Sequence, residues 1–400
     1  MRRRRVKITG LGFVTPAGIG KAEFSQGILE PVSRVNSVKR FPEEAGAFVA
    51  AEVKGFKLER YVEGINSKRM PRHTQFALAA AVLALQDAGL ELSSLRGQSP
   101  LVMIGASLMD FGSINKGVDM ILQKGPVNGL PSSVFAASVS SIGGTIGEII
   151  GGTTRTLALQ SACCAGLDSI GHAAAMIANG ETEIALCGGT EAPLFFHPML
   201  ELKMAGLAPG NPDHPERQCR PFDLWRTTGV IGEGACVMLL EPEDSRRPGY
   251  AFVEGYAYSS DPLDRPGAGL SEAIHLALGN ARMHSSQIEC INAWGPGHKI
   301  IDAAEALALQ QVFGAELAGI PVVSLKGAIG NPLGAGGAIQ AGCAALGMGS
   351  STIPPTVNWQ YPDPACPLNL SAQTRFISHG ATLINAHGLS GTNACLVLNR

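Results

Sequence analysis

The chain has 400 residues, 45% hydrophobic and 16% charged, with 50 glycines and a formal net charge of −2. That length allows two domains or one large double domain, and the composition is that of a core-rich globular protein. The near-neutral balance argues against nucleic acid as the main partner, and no apolar run approaches the length of a membrane helix. The nine cysteines show no metal-ligand spacing, so reduced, cytoplasmic thiols and no metal are expected.

Arg2-Arg3-Arg4-Arg5 runs into Val6-Lys-Ile-Thr-Gly with no apolar stretch or cleavage site between them. It reads as a solvated lead-in to a first strand, not as a signal peptide. Gly143-Gly144, like Gly334-Ala-Gly-Gly337 further on, lacks the Lys-Ser/Thr ending or the acidic partner of a nucleotide loop. The segment Leu157-Ala-Leu-Gln-Ser-Ala-Cys163-Cys164-Ala-Gly-Leu-Asp-Ser-Ile-Gly-His172 then reads as a buried strand feeding a helix. Leu167, Ile170, Ala174 and Ile177 recur at helical spacing until Asn179-Gly180 stops the run. Cys163 stands at the joint. There, unpaired N–H groups and the helix dipole favour a thiolate, and the same N–H groups can hold an oxyanion. That is the equipment of an acyl-thioester nucleophile. A small core hydrophobe is the plainer alternative. Cys164 reads as packing.

Residues 197–228 show no clear period and are expected to cross the active-site side or a dimer face. Gly229-Val-Ile-Gly232-Glu-Gly-Ala235-Cys236 closes the first half as a glycine turn into a buried strand, and Gly388-Leu-Ser-Gly391-Thr-Asn-Ala394-Cys395 repeats the pattern at the end. Each half opens on a strand ending in Gly, at Val6-Lys-Ile-Thr-Gly and at Ala251-Phe-Val-Glu-Gly. The Cys163 unit has a counterpart in Val322-Val-Ser-Leu-Lys326-Gly-Ala-Ile-Gly-Asn331 and the small-residue helix that follows. The polar, proline-bounded Glu241–Pro248 segment links the halves. The expected architecture is α/β, with halves 1–245 and 246–400, parallel or mixed sheets, and glycine-alanine helices approaching closely at the centre.

With these motifs in order, the chain resembles the elongating β-ketoacyl-acyl-carrier-protein synthases of the thiolase superfamily. The likeness rests on Lys7-Ile-Thr-Gly-Leu-Gly, Arg220-Pro-Phe-Asp223, Asn292-Ala-Trp294-Gly with Asp302 and Glu305, Ser324-Leu-Lys326, and Asn385-Ala-His387-Gly-Leu-Ser-Gly-Thr-Asn393. It implies a layered αβαβα sandwich with the nucleophile in the first half and second-substrate loops in the second. Cys163 would take an acyl chain from the phosphopantetheine of an acyl carrier protein or from CoA, with no cofactor.

The family's two histidines, which hold the malonyl thioester during decarboxylation, fall on Trp294 and Asn331. Both residues retain N–H donors, but neither exchanges protons near neutral pH. His387 occupies the family's gating-phenylalanine position, in the loop whose N–H completes the oxyanion hole. Gly388 and Leu389 follow it, and His298 and Pro296 stand at tunnel-lining positions. Either histidine is a candidate base. Lys326 and Glu305 match a buried ion pair that fixes the loops, with Asp302 as a loop acceptor. Lys68, Arg69 and Arg72 lie where the family meets its carrier.

Three readings follow. The first is a ketosynthase-like acyltransferase of fatty acid or polyketide biosynthesis with decarboxylation in doubt. The second is a non-catalytic partner resembling a chain-length factor. A degradative thiolase is disfavoured, because Cys395 follows the C-terminal glycine loop within an apparent strand. The resemblance also implies a dimer, either of identical chains or with a second ketosynthase.

Overall fold

The computed structural model describes residues 4–210, 213–265 and 267–400, and the backbone alone at Arg69. Arg2 and Arg3 of the basic run therefore lie outside the described residues. Arg4 pairs with Glu183 and Arg5 with Glu254.

The first half contributes strands β1 (Val6–Thr15), β2 (Leu101–Gly105), β3 (Arg155–Leu159), β4 (Ala185–Glu191) and β5 (Gly234–Pro242). The second contributes β6 (Ala251–Ser260), β7 (Cys290–Asn292), β8 (Val322–Val323), β9 (Thr382–His387) and β10 (Thr392–Asn399). Within the first half the spatial order is β1-β5-β4-β2-β3; within the second it is β6-β10-β9-β7-β8. The two orders are the same. In each, the opening strand pairs antiparallel with the closing strand, which pairs antiparallel with the fourth, and the remaining pairs are parallel. The repeated sequence patterns are thus a repeated topology. The opening strands β1 and β6 also pair antiparallel over three residues, joining both halves into one hydrogen-bonded sheet.

Helices α1 (Arg72–Asp87) and α2 (Ser140–Ile150) cover the outer face of the first half. Helix α3 (Ala165–Ala178) packs on strands of both halves; α4 (Ala268–Ala281) and α5 (Lys299–Phe313) cover the second half's outer face, and α6 (Gly336–Ser350) shares the centre with α3. The layers run α, β, α, β, α. The largest apolar cluster lies in the central layer, with one further cluster under each outer pair. Close central packing depends on small residues, because a Cβ at Gly166 in α3 would stand 2.4 Å from the Gly334 carbonyl oxygen.

Strand β3 departs from the expectation. It is not buried but forms the outer edge of the sheet, with β2 as its neighbour and Leu157 48% exposed. Apolar composition cannot distinguish a strand covered by its own fold from one whose second neighbour lies outside the chain.

Candidate active site

Between β3 and α3 the chain turns through a short 3-10 helix, Ala162–Cys164. Ala162 adopts φ 50°, a left-handed conformation unfavourable for a residue with a Cβ. The surrounding packing sustains this strain next to the candidate nucleophile, as is common at functional sites. Cys163 follows at the second helical position, where the backbone N–H has no intrahelical acceptor. It lines a small cavity of about 30 Å³, together with Trp294, His298, Asn331, His387 and Leu389. Leu202, Leu207 and Gly229 complete another wall, so the aperiodic 197–228 segment does cross the active-site side, opening with a helix at Phe196–Met204.

The thiolate expectation is corrected. Burial, reinforced by the Glu191 carboxylate, pushes the Cys163 thiol up to about 12, outweighing the Leu389 N–H and the more distant Lys326. The helix terminus is present, but the sulfur has left water. Glu191 accepts hydrogen bonds from the backbone N–H groups of Ser107 (2.7 Å), Leu108 (3.3 Å) and Gly334 (3.1 Å). Burial nonetheless lifts its carboxyl from 4.5 to about 7. Between those values the folded chain holds a proton that the unfolded chain has lost. The resulting stabilisation is complete below the unfolded value and disappears as pH rises through about 7. Glu191→Gln should therefore gain stability relative to wild type as pH rises from about 5 to about 8. The difference in urea midpoints measures it, and a flat difference would contradict this protonation.

Trp294 is 1% exposed. A Cβ at residue 336 would lie 2.6 Å from the indole Cζ3, so the ring fits only against Gly336. The Lys326 ammonium sits 4.1 Å from the ring centroid. Below the ring, Glu305 accepts the Trp294 and Gly295 N–H groups, both at 2.8 Å. Asp302 does the same for Phe222 (2.7 Å), Gly297 (3.1 Å) and His298 (3.2 Å), fixing the loop as expected of an acceptor at that position.

The expected Lys326–Glu305 ion pair is also corrected. The Lys326 Nζ donates instead to Gln340 Oε1 at 2.7 Å, and burial lowers its pKa to about 7, with Glu305 opposing this only at longer range. The two residues secure different loops through different partners. Gln340 is the junction the sequence reading missed: its Nε2 donates to the carbonyls of Asn292 (3.0 Å), Ala293 (2.9 Å) and Asn385 (3.1 Å). Gln340→Leu leaves all of these groups unpaired. It should cost about 3–5 kcal/mol, read as a lowered denaturant midpoint.

Asn331 is pinned through its backbone to Val230 (2.6 Å) and Gly232 (2.8 Å), and its Oδ1 accepts the Leu333 N–H at 3.2 Å. The amide N–H groups are what remain for the cavity. Pro296 and His298 line it too. His298 caps α5, its Nδ1 accepting from the Ile300 (3.3 Å) and Ile301 (3.5 Å) N–H groups, and burial followed by Arg226 lowers its pKa. A ring held in this way is not available as a base through Nδ1. His387, at the end of β9, places Nδ1 2.7 Å from Asn393 Oδ1. Asn393 Nδ2 donates to Asp261 Oδ1 at 2.8 Å and to the Gly391 carbonyl at 3.1 Å. A Cβ at Gly388 would stand 3.0 Å from that of Ala162, which brings this loop directly against the cysteine turn.

The basic cluster does not survive intact. Arg72 makes a two-point ion pair with the buried Glu233, at 3.0 and 2.7 Å. Lys68 is exposed, and the Arg69 side chain lies outside the described residues. Glu191 had one readable signal, a carboxylate ending an apolar strand; Asp261 had none.

The family model described as β-ketoacyl synthase, N-terminal domain matches residues 3–245, and that of the C-terminal domain matches residues 249–360. The chain is 32% identical to 3-oxoacyl-[acyl-carrier-protein] synthase 2 of Coxiella burnetii, over 100% of this chain and 99% of that protein. Among solved structures it resembles the ishigamide ketosynthase/chain length factor, with TM-score 0.92, 29% identity and 99% of both chains covered. It also resembles a type II polyketide ketosynthase solved with its acyl-carrier protein, with TM-score 0.90, 28% identity and 99% of both chains covered.

Proposed function

The chain belongs to the β-ketoacyl synthase family, and from that premise we propose an acyl-thioester transferase whose Cys163 accepts an acyl chain without subsequent malonyl decarboxylation. The donor is an acyl group on the phosphopantetheine of a carrier protein or on CoA. The reading is carried by one juxtaposition: Cys163 keeps its helix-terminal turn on the wall of a cavity that Trp294 and Asn331 also line, the two residues on which the resemblance puts the family's histidines. The Cys163 and His387 backbone N–H groups stabilise the oxyanion as sulfur attacks the thioester carbonyl and the pantetheine thiolate departs. Trp294 and Asn331 offer donors to a second carbonyl but no titrating group. Among the described side chains of the basic cluster, Lys68 is exposed and able to meet an acidic carrier. Nine free, buried cysteines suit a reducing cytoplasmic setting.

Intact mass spectrometry after incubation with acyl-carrier and acyl-CoA donors, followed by peptide mapping, tests this reading. A single adduct on the Cys163 peptide is expected. No adduct and no released acid with any donor would contradict it.

The exposed edge favours a second reading, a chain-length-factor-like partner. Strand β3 is the outer edge of the sheet, and Met109, Leu122, Val134 and Phe135, in the connection between β2 and β3, are exposed. Such an edge and patch suit a second ketosynthase-fold chain, identical or different. Sedimentation should give a dimer mass. Obligate co-purification with an intact Cys-His-His ketosynthase, together with no Cys163 adduct, would select the partner role.

A further inference from the structure

We infer that His387 is the general base of Cys163, that Asn393 and Asp261 orient it, and that the acyl-enzyme is released by water, making this chain an acyl-thioester hydrolase. This rests on the reading of Cys163 as the acyl acceptor.

A buried sulfur that keeps its proton needs a base on the cavity wall before it can attack. Among the described residues lining the cavity, the titratable ones are Cys163, His298 and His387. The His298 Nδ1 is occupied by the first turn of α5. The Lys326 Nζ lies between Gln340 and the Trp294 ring, and Glu191 is held by three backbone N–H groups. His387 remains.

The hydrogen bonds around His387 fix its tautomer. Asn393 contacts a carboxylate and a carbonyl through one atom, and only an NH₂ group can do so. The other amide atom is therefore the oxygen, and the His387 Nδ1 facing it must carry the proton. The Nε2 is then the bare acceptor. Asp261 Oδ2 stands 4.0 Å from that Nδ1, so the same carboxylate that anchors Asn393 flanks the ring. A cysteine, an imidazole and an amide that sets the tautomer make up a recurrent acyl-transfer unit, whatever fold carries it.

The steps balance with water as the second reactant. Nε2 accepts the Cys163 proton as sulfur bonds to the thioester carbonyl; the carrier's C–S bond breaks, and its thiolate takes that proton. Water then adds to the acyl-cysteine while Nε2 accepts its proton. The Cys163 C–S bond breaks, and the thiolate recovers the proton. The net change is thioester plus water to carboxylic acid plus thiol.

Octanoyl-CoA is the probe, with free octanoate and the Cys163 adduct measured in the same acid-quenched samples. Wild type should release octanoate over many turnovers. His387→Phe should lower that release by about 100-fold or more, within the usual range for a general base. Added imidazole should restore part of it in His387→Ala, a rescue that neither misfolding nor a lost packing contact would show. Asn393→Ala, a positioning variant, should lower release while leaving the imidazole-rescued rate of the double variant with His387→Ala unchanged. A stable wild-type adduct without octanoate would overturn the hydrolase inference, and equal release by wild type and His387→Phe would overturn His387 as the base; a Cys163 adduct in either case leaves the acyl acceptor standing. Neither adduct nor octanoate from wild type would overturn the acceptor itself.

Discussion

Cys163→Ala should reduce acyl loading from one adduct per chain to background, with no adduct appearing elsewhere. The second half of that statement carries the structural weight. Eight other thiols are present, all free and all buried. Cys164 is adjacent in sequence, yet its sulfur turns toward the Thr392 carbonyl at 3.5 Å, and burial and Asp168 hold its pKa well above the ordinary thiol value. Among the nine, Cys163 is the one on the cavity wall. A catalytic unit stripped of its nucleophile loses on the order of a million-fold in comparable triads, and a neighbour facing the core cannot replace it. Intact mass checks the prediction directly. An adduct that migrates to Cys164 would mean that the cavity opens behind the turn.

The second large effect is a gain. The double variant Trp294→His, Asn331→His should acquire malonyl-thioester decarboxylation, because it puts a titrating ring at both positions and positioned proton transfer is worth about 100–10,000-fold. Labelled CO₂ release from malonyl-CoA measures it. The Trp294 exchange has a packing cost: the ring fills the space between Gly336 and Lys326, and emptying such a site costs about 3–5 kcal/mol. Folding should therefore be checked by thermal melting in parallel. Asn331→His alone should gain less, since one of the two positions still lacks a titrating ring.

Local patterns revealed much of this molecule. Two strand-opened, glycine-closed halves are visible because the repeat lies in contiguous sequence, and they appear in the structure as one strand order used twice. Cys163, Trp294, Asn331 and His387, singled out in separate motifs, line one cavity. The misreadings all concern what stands across space from a residue. The β3 run has apolar side chains whether its outer neighbour is present or absent. Cys163 has a helix terminus, but sequence does not report the water lost around its sulfur or the carboxylate of Glu191 behind it. The resemblance pairs Lys326 with Glu305; the structure gives it a neutral amide and an aromatic ring. Arg72 looked available until Glu233, far along the chain, was found beneath it. The orientation of His387 depends on Asp261, which carries no motif at all.

Acyl acceptance by Cys163 should persist where decarboxylation does not. Its most direct test is one time course in which wild-type protein receives an acyl donor together with carboxyl-labelled malonyl-CoA. The predicted result is acyl transfer through Cys163, seen as adduct or released acid, with labelled CO₂ no faster than in a protein-free control. Labelled CO₂ above that control, lost in Cys163→Ala or Asn331→Ala, would contradict it.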